Sequence, residues 1–177
     1  MIVIGLDLAT RICGVTIGDG AKMPACGAWN YDYCGADLGG LLEAYDADLE
    51  KLVTVHGAPA AVIYESPLLL PSDRLLVLRK IYSLGAYTEL WAKRRGILCQ
   101  EASAKALKKR LTGNHAASKD DMVAMCKRMG VPLPKGPEAK DAADSFAAWL
   151  IALTHHGDKG ALARWDQALY GRRGALL

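Results

Sequence analysis

The stretch Met1-Ile-Val-Ile-Gly-Leu-Asp7-Leu-Ala-Thr10, followed by Cys13-Gly14-Val-Thr-Ile17, organises the rest of this chain. Its first residues are mostly β-branched and almost continuously apolar, which is typical of a strand buried on both faces. Asp7 ends that run. A carboxylate at the end of a buried strand is costly unless it is paired, hydrogen-bonded or bound to a metal. The sequence therefore predicts that other residues of the chain meet Asp7.

Two later stretches carry acids that fit this role. Ala61-Val-Ile-Tyr-Glu65 is a second apolar strand ending in a carboxylate, and Asp141 and Asp144 have the i, i+3 spacing that shares one helix face. Packed together, four carboxylates repel one another unless a cation joins them, and hard oxygen ligands suit Mg²⁺ or Mn²⁺. We predict that these four acids converge on divalent metal. Two such ions about 4 Å apart can activate water and stabilise the leaving oxygen of a phosphodiester.

Each acid taken alone has an ordinary structural explanation. Asp7 could cap a turn, and Glu65 could be a common strand-end acid before Ser66-Pro67. Asp141 and Asp144 could form a solvated first helical turn that the helix dipole favours. The four together are much harder to explain as a coincidence, so we favour the metal site.

Composition sets the class of protein. With 177 residues, 51% of them hydrophobic and 23% charged, the chain is expected to form one globular domain with a substantial core. The five cysteines are scattered without a CxxC pair, which argues against a zinc ribbon and favours reduced thiols. There is no basic signal-peptide region and no apolar run of about 20 residues. We expect a soluble, cytoplasmic protein without a membrane span.

Charge is distributed unevenly along the chain. Residues 1–88 hold six basic and ten acidic side chains, a net charge of −4, whereas residues 89–177 hold sixteen and nine, a net charge of +7. A basic second half is typical of a polyanion-binding side, although solvated helix faces rich in Lys and Arg give the same pattern. Four basic residues in the predicted short helix Ser103–Leu111 are candidates for phosphate contacts: Lys105, Lys108, Lys109 and Arg110.

The order of predicted elements indicates a mixed sheet. Ile2–Leu8, Ile12–Gly18 and about Ala25–Tyr33 are predicted to be strands of an antiparallel meander. A helix over Ala36–His56 then leads to a strand over Ala60–Glu65, and this crossover makes the second strand parallel to its neighbour. The remaining predicted elements are a helix from Pro71 to about Arg95, a strand Ile97–Gln100, and helices Ser103–Leu111, Ser118–Met129, Asp141–His155 and Asp158–Tyr170.

The helix that ends near Arg95 has an apolar set wider than one face of a monomer needs. Such a helix is buried on two sides or forms a subunit interface. We favour an interface, because a two-fold dimer is the simplest use of the surplus.

This combination resembles the ribonuclease H-like superfamily, and within it the RuvC-type Holliday junction resolvases. The shared pattern is an Asp on the first strand, a Glu ending the fourth and D-x-x-D on a late helix. The most specific matches are Gly5-Leu-Asp7 with Cys13-Gly14, Asp141-Ala-Ala-Asp144-Ser-Phe-Ala147, and Lys108–Val123 with Gly113 and Ser118-Lys119. The resemblance implies an α/β fold with a five-stranded mixed sheet flanked by helices.

The resemblance also implies a function. Asp7 would be the shared ligand of two Mg²⁺ ions, with Mn²⁺ able to substitute, and Glu65, Asp141 and Asp144 would complete the site. Lys119 would serve catalysis beside the scissile phosphate, with Lys108 nearby. The protein would be a homodimer that cuts two opposed strands of a four-way DNA junction. Residues 1–156 would form the nuclease domain and residues 157–177 a helical extension of it.

One departure from the family pattern bears on specificity. The family commonly has an aromatic residue just after the catalytic Glu, whereas this chain has Ser66-Pro-Leu-Leu-Leu70-Pro71. The preferred cleavage sequence and the way the junction is opened therefore do not follow from the resemblance. Alternatives are a nuclease of the same fold that acts on flaps, other branched DNA or RNA, and a junction-binding module without catalysis. An actin-like ATPase or sugar kinase needs two such lobes, for which the chain is too short.

Overall fold

A computed structural model describes residues 1–67 and 74–171 of the chain. The predicted helix start at Pro71 and most of the departure segment after Ser66 lie outside the described residues, as does the end of the chain from residue 172.

The described residues form five strands and six α-helices in an α/β arrangement. The strands are β1 (Val3–Asp7), β2 (Ile12–Gly18), β3 (Ala25–Asn30), β4 (Ala61–Glu65) and β5 (Leu98–Ala102). The helices are α1 (Leu38–His56), α2 (Leu75–Arg94), α3 (Ala104–Thr112), α4 (Lys119–Arg128), α5 (Glu138–His156) and α6 (Lys159–Tyr170), and a short 3-10 turn covers Asp32–Cys34.

The strands form one mixed sheet in the order β3-β2-β1-β4-β5. Strands β1, β2 and β3 pair antiparallel as the predicted meander, and β4 pairs parallel with both β1 and β5. The βαβ crossover through α1 produces the β1–β4 pair, because a parallel neighbour requires a connection that returns to the same end of the sheet. The predicted five-stranded mixed sheet flanked by helices is confirmed.

Two predicted strand boundaries were wrong. Strand β3 ends at Asn30 rather than Tyr33, because the Asn30 side chain accepts the Asp32 backbone N–H at 2.9 Å and turns the chain. Strand β5 covers Leu98–Ala102 rather than Ile97–Gln100, because its parallel pairing with β4 continues to the register pair of Glu65 and Ala102. Helix α5 begins at Glu138, three residues before the predicted start.

Helices cover both faces of the sheet. On one face, which we call the α5 face, α3, α4, α5 and α6 pack against Val3, Ala61 and Ile63. On the other, the α2 face, α1 and α2 pack against Ile4, Leu6, Val62 and Tyr64. Since β1 and β4 are buried on both faces, their nearly continuous apolar sequences have a direct structural reason.

Helix α6 joins the core of the α5 face. Ala161, Trp165 and Leu169 are buried there, and the Trp165 indole N–H donates to the Gly20 carbonyl at 3.0 Å. The division of the chain at residue 156 stays a prediction.

Across residues 1–67 and 74–171, no helix combines the length and apolar character that crossing a bilayer requires. The cytoplasmic location stays a prediction from the sequence. All five cysteines are free thiols.

Candidate metal centre

Two neighbouring strands carry Asp7 and Glu65 to the same edge of the sheet. Strands β1 and β4 run parallel, with Leu6 in register with Tyr64, so the next residue of each strand is an acid at its carboxyl end. Both acids point to the α5 face, because they continue the alternation that places Val3, Ala61 and Ile63 there. The local strand pattern alone therefore brings the first two predicted ligands together.

The glycines of the first hairpin let helix α5 approach the sheet closely. A Cβ atom on Gly5 would lie 2.2 Å from the Ser145 carbonyl oxygen and 2.2 Å from the Trp149 backbone nitrogen. A Cβ on Gly14 would lie 2.0 Å from the Asp141 carbonyl oxygen. These distances are far below van der Waals contact, so only glycine permits this packing. The glycines thus bring the backbone of the helix that carries Asp141 and Asp144 against the strand of Asp7.

Two polar contacts fix the position of α5 along the sheet. The hydroxyls of Thr16 and Ser145 share a buried hydrogen bond of 2.9 Å, and the Trp149 indole N–H donates to the Gly18 carbonyl at 3.1 Å. Ser145 directly follows Asp144, so the hydrogen bond between Thr16 and Ser145 also fixes where the Asp144 carboxylate lies along the sheet. This pair was not predicted from the sequence; the available signal was a threonine within an otherwise apolar strand.

Three of the four predicted acids form a tight group. One ligand oxygen from each of Asp7, Glu65 and Asp144 lies within 4.8 Å of the others. Asp7 and Asp144 are buried, and Glu65 is partly exposed. Asp141 lies outside this triplet but next to it, since its carboxylate and that of Asp144 contact the same lysine. The structure therefore brings all four acids to one region, with Asp141 at its more exposed rim.

The electrostatics of the group favour protonation or a bound cation. Burial, followed by the charges of Glu65 and Asp144, raises the pKa of Asp7 well above its ordinary value. Burial and the charge of Asp144 raise the pKa of Glu65 to about 7. Burial also raises the pKa values of Asp141 and Asp144, although Lys119 partly opposes both shifts. These shifts are the expected cost of placing like charges together in a poorly solvated site.

Lys119 lies among these acids. Its ammonium is 3.0 Å from Asp144 Oδ2 and 3.5 Å from Asp141 Oδ1. Burial alone would lower the pKa of Lys119, but the charges of Asp7 and Asp144 outweigh it and raise that pKa. Lys119 is the first residue of α4, where the Ser118 and Asp121 capping box fixes the helix start. The cap therefore also fixes the position of this cation.

The other predicted basic residues differ in where they lie. Lys108 is half-buried and close enough to lower the pKa values of Glu65 and Asp144. Lys105 and Lys109 are exposed on the same helix. Arg110 is directed away from the acids: its guanidinium contacts Asp166 at 2.8 Å and Thr154 at 3.2 Å. Arg110 thus joins α3 to α5 and α6 instead of facing the acidic group.

The donor set fits a divalent metal. Asp7 Oδ2 is buried and has no hydrogen-bond partner among the residues that the structure describes. A buried, unpartnered carboxylate oxygen costs free energy, and two further carboxylates within 4.8 Å increase that cost. A hard cation coordinated by these oxygens removes both costs, and the all-oxygen donor set suits Mg²⁺ or Mn²⁺.

Comparison with known families agrees with this geometry. The sequence profile of the family described as "Crossover junction endodeoxyribonuclease RuvC" matches residues 77–155, which include Lys108, Lys119, Asp141 and Asp144. No curated protein sequence matches the chain significantly.

Solved structures share the fold over most of the chain. The RuvC of Thermus thermophilus is 18% identical, with 98% of this chain and 97% of that chain covered and a TM-score of 0.58. The same organism's RuvC in complex with a Holliday junction substrate is 16% identical, with coverage of 89% and 96% and a TM-score of 0.62. The yeast mitochondrial Holliday junction resolvase Ydc2 is 13% identical, with coverage of 98% and 82% and a TM-score of 0.60.

At these identities the structural likeness establishes the fold, which is the ribonuclease H-like fold that the sequence predicted. Together with the profile match over residues 77–155, it confirms the predicted resemblance of this chain to the RuvC-type resolvases.

Proposed function

We propose that this protein is a metal-dependent endonuclease that resolves four-way DNA junctions by paired phosphodiester hydrolysis. The observation that carries the proposal is the triplet of Asp7, Glu65 and Asp144 oxygens within 4.8 Å, together with the unpartnered Asp7 Oδ2. Such a group is unfavourable for a protein that only folds or binds, and its carboxylate oxygens suit the metal ions that catalyse phosphodiester hydrolysis.

The residues proposed to hold metal are Asp7, Glu65, Asp141 and Asp144, with Asp7 shared between two Mg²⁺ ions and Mn²⁺ able to replace them. When bound, the ions supply an activated water and stabilise charge on the leaving oxygen. Asp7 suits the shared position because its buried Oδ2 has no hydrogen-bond partner among the described residues and its strand lies between β4 and β2, beneath helix α5. Asp141, at the rim, suits a ligand that completes the shell from the solvent side.

The basic residues of the proposed site act on the substrate. Lys119 is proposed to contact the scissile phosphate, since its side chain is half exposed while its ammonium stays within 3.0 Å of Asp144. Lys108 is proposed to contact the neighbouring backbone phosphate, and Lys105 and Lys109 to contact DNA further out. Arg110 was predicted to bind nucleic acid as well, but its contacts with Asp166 and Thr154 favour a structural role.

The proposed partner is branched DNA. A solved neighbour with the same fold is a RuvC in complex with a Holliday junction substrate, and the basic second half of this chain suits a polyanion. These observations support DNA with junction geometry as the substrate.

We also propose a homodimer formed through α2. This helix exposes large apolar side chains that a monomer has no reason to present to water: Leu75 (73% exposed), Leu76 (39%), Tyr82 (52%) and Leu90 (45%). Symmetric cutting of two opposed strands needs two active sites, which a two-fold dimer provides. Residues 1–156 are proposed as the nuclease domain, and α6 with the residues after it as its extension.

The proposal is tested by cleavage of a synthetic four-way junction, a flap and a plain duplex, with Mg²⁺ or with EDTA. The proposed function predicts paired nicks in the junction that need metal and that Asp7→Asn abolishes while junction binding persists. Cleavage retained by Asp7→Asn would remove Asp7 from the mechanism. Faster cleavage of the flap would favour a broader nuclease, and binding without cleavage would favour a non-catalytic module.

Lys119→Ala provides a second test. We expect its cleavage rate to fall by a factor of about 100 or more, because a cation at the scissile phosphate stabilises charge that develops in the transition state. With Mg²⁺ present to balance the charge of the acids, its thermal unfolding should change little by comparison. An equal loss of cleavage and folding would contradict a role in contacting substrate.

A further inference from the structure

The residues on either side of Glu65 are held by one side chain of the edge strand. Glu65 is the last residue of β4, and its neighbours Tyr64 and Ser66 point to the α2 face, opposite to the metal centre. The Tyr64 hydroxyl donates to Glu101 Oε1 at 2.9 Å, and the Ser66 hydroxyl donates to Glu101 Oε2 at 2.8 Å. The two oxygens of Glu101 therefore bind the residue before and the residue after the proposed ligand.

The backbone reinforces this arrangement. Glu65 is in register with Ala102, and the Ser66 backbone N–H donates to the Ala102 carbonyl at 2.9 Å. The pairing of β4 with β5 thus continues one residue past Glu65, although the regular strand ends there. Glu101 precedes Ala102 and is in register with Tyr64, so its side chain lies on the α2 face next to the backbone pairing that holds Glu65.

Glu89 of α2 makes one of these contacts but not the other. The Tyr64 hydroxyl lies 2.7 Å from Glu89 Oε1 as well as 2.9 Å from Glu101. A tyrosine hydroxyl has one proton and donates to one carboxylate at a time. Glu101 keeps its contact with Ser66 in either case, so Glu101 and not Glu89 restrains both neighbours of Glu65.

We propose that Glu101 is a positioning residue for the metal centre, which holds the end of β4 so that the Glu65 carboxylate stays beside Asp7 and Asp144. It acts from the opposite face of the sheet, through the backbone of residues 64–66, and touches neither metal nor substrate. Outer contacts of this kind orient metal ligands and influence metal affinity. The inference rests on the proposed role of Glu65 as a metal ligand.

The test is a calorimetric titration of Mn²⁺ into metal-free full-length protein, with four variants. Glu65→Gln removes the proposed ligand, Glu101→Ala removes both restraints, and Glu89→Ala is the matched control that removes one shared contact. Glu101→Gln is the conservative variant: its amide oxygen accepts from one hydroxyl and its NH₂ donates to the other, so geometry is kept while charge is lost.

We expect Glu101→Ala to raise the dissociation constant for Mn²⁺ about tenfold, and Glu101→Gln and Glu89→Ala to stay within about twofold of wild type. The cleavage rate of Glu101→Ala should recover at high Mg²⁺ concentration, which a misfolded site would not show. If Glu101→Ala does not fold, Ser66→Ala is measured instead, with an expected rise of about threefold.

The outcomes separate the two proposals. If Glu65→Gln weakens Mn²⁺ binding and Glu101→Ala binds as wild type does, the positioning role is overturned and the proposed function stands. If Glu101→Gln weakens binding as much as Glu101→Ala, Glu101 acts through charge and the positioning role is also overturned. If wild type does not bind Mn²⁺, or Glu65→Gln binds equally well, the proposed function fails and the inference fails with it.

Discussion

The two faces of the sheet are packed by different means. On the α5 face the α5 backbone lies directly on β1 and β2 at Gly5 and Gly14, although Phe146, Trp149 and Trp165 also pack on this face. On the α2 face, large aromatic residues fill the space and their polar atoms find partners within it: the Tyr45 hydroxyl bonds Thr88 at 2.7 Å, and the Trp91 indole donates to Glu50 at 2.7 Å.

This difference in packing matches a difference in role between the two faces of the sheet. Backbone-to-backbone packing leaves a helix little freedom to shift, and the α5 face is where Asp7 and Asp144 must keep their spacing. Packing through long side chains tolerates small movements, and the α2 face carries the proposed interface rather than the proposed chemistry. This division of roles predicts that substitutions on the two faces differ in the size and kind of their effects.

Gly5→Ala should destabilise the protein by more than about 3 kcal/mol, because the new Cβ meets α5 backbone atoms that cannot rotate away. Urea unfolding of the variant beside wild type measures the change. A loss below about 1 kcal/mol would mean that α5 can move away from the sheet, and the contrast between the two faces would not hold.

In EDTA, the free energy of unfolding should fall as pH rises from about 4.5 to about 7. The folded state raises the pKa of Glu65 from 4.5 to about 7, so the folded protein binds a proton more readily than the unfolded chain. The stability that this proton provides is complete below the unfolded pKa and is lost as pH passes through the folded value.

Glu65→Gln should remove about 2 kcal/mol of this pH dependence, with the difference between variant and wild type measured at pH 5 and pH 8. Added Mg²⁺ should raise the free energy of unfolding of wild type at pH 8, and it should change that of Glu65→Gln much less. Identical pH profiles for the two proteins would show that the surroundings of Glu65 do not raise its pKa.

On the α2 face, Leu90→Lys should convert the proposed dimer to a monomer in sedimentation velocity, and its unfolding free energy should lose the dependence on protein concentration that a dimer shows. Leu90 is 45% exposed, so the fold of a single protomer does not depend on burying this side chain. Val55→Lys on α1, at a residue that is 66% exposed, is the matched control and should remain dimeric. A dimeric Leu90→Lys protein would place the interface elsewhere.

The smallest effect is expected for Gly85→Ala in α2, which should gain about 0.5 to 1 kcal/mol from helix propensity. A Cβ at Gly85 would lie 3.6 Å from the nearest atom of Tyr64, an ordinary contact. Differential scanning calorimetry of Gly85→Ala, Gly5→Ala and wild type compares the effect of an added Cβ on the two faces. A destabilised Gly85→Ala protein would mean that the α2 face is packed as tightly as the α5 face.

The strands that carry the site could be predicted from sequence because their information is local. The nearly unbroken apolar runs before Asp7 and Glu65 match strands buried on both faces, and the helix between them dictates a parallel pair. The end of β3 could not be predicted, because one Asn30 side-chain contact decided it. The extent of β5 depended on pairing with a strand more than thirty residues away.

The candidate site could likewise be predicted only in part from the sequence. The i, i+3 spacing placed Asp141 and Asp144 on one helix face, but only the packing of α5 shows that Asp144 lies with Asp7 and Glu65 while Asp141 stays at the rim. The basic run 108–110 gave no sign that Arg110 turns toward α6, since the partner Asp166 lies 56 residues further along the chain. Tertiary contacts of this kind have no local sequence signal.

The position of Lys119 has a consequence for anyone designing a reagent that captures junctions without cutting them. Its ammonium supplies a positive charge that the Asp141 and Asp144 carboxylates contact when no other cation is near, so the lysine serves the folded chain as well as the substrate. Replacing it would leave the acids to repel one another and would also remove a contact to DNA. Asp7→Asn removes a buried charge instead, and is therefore the better starting point for such a probe.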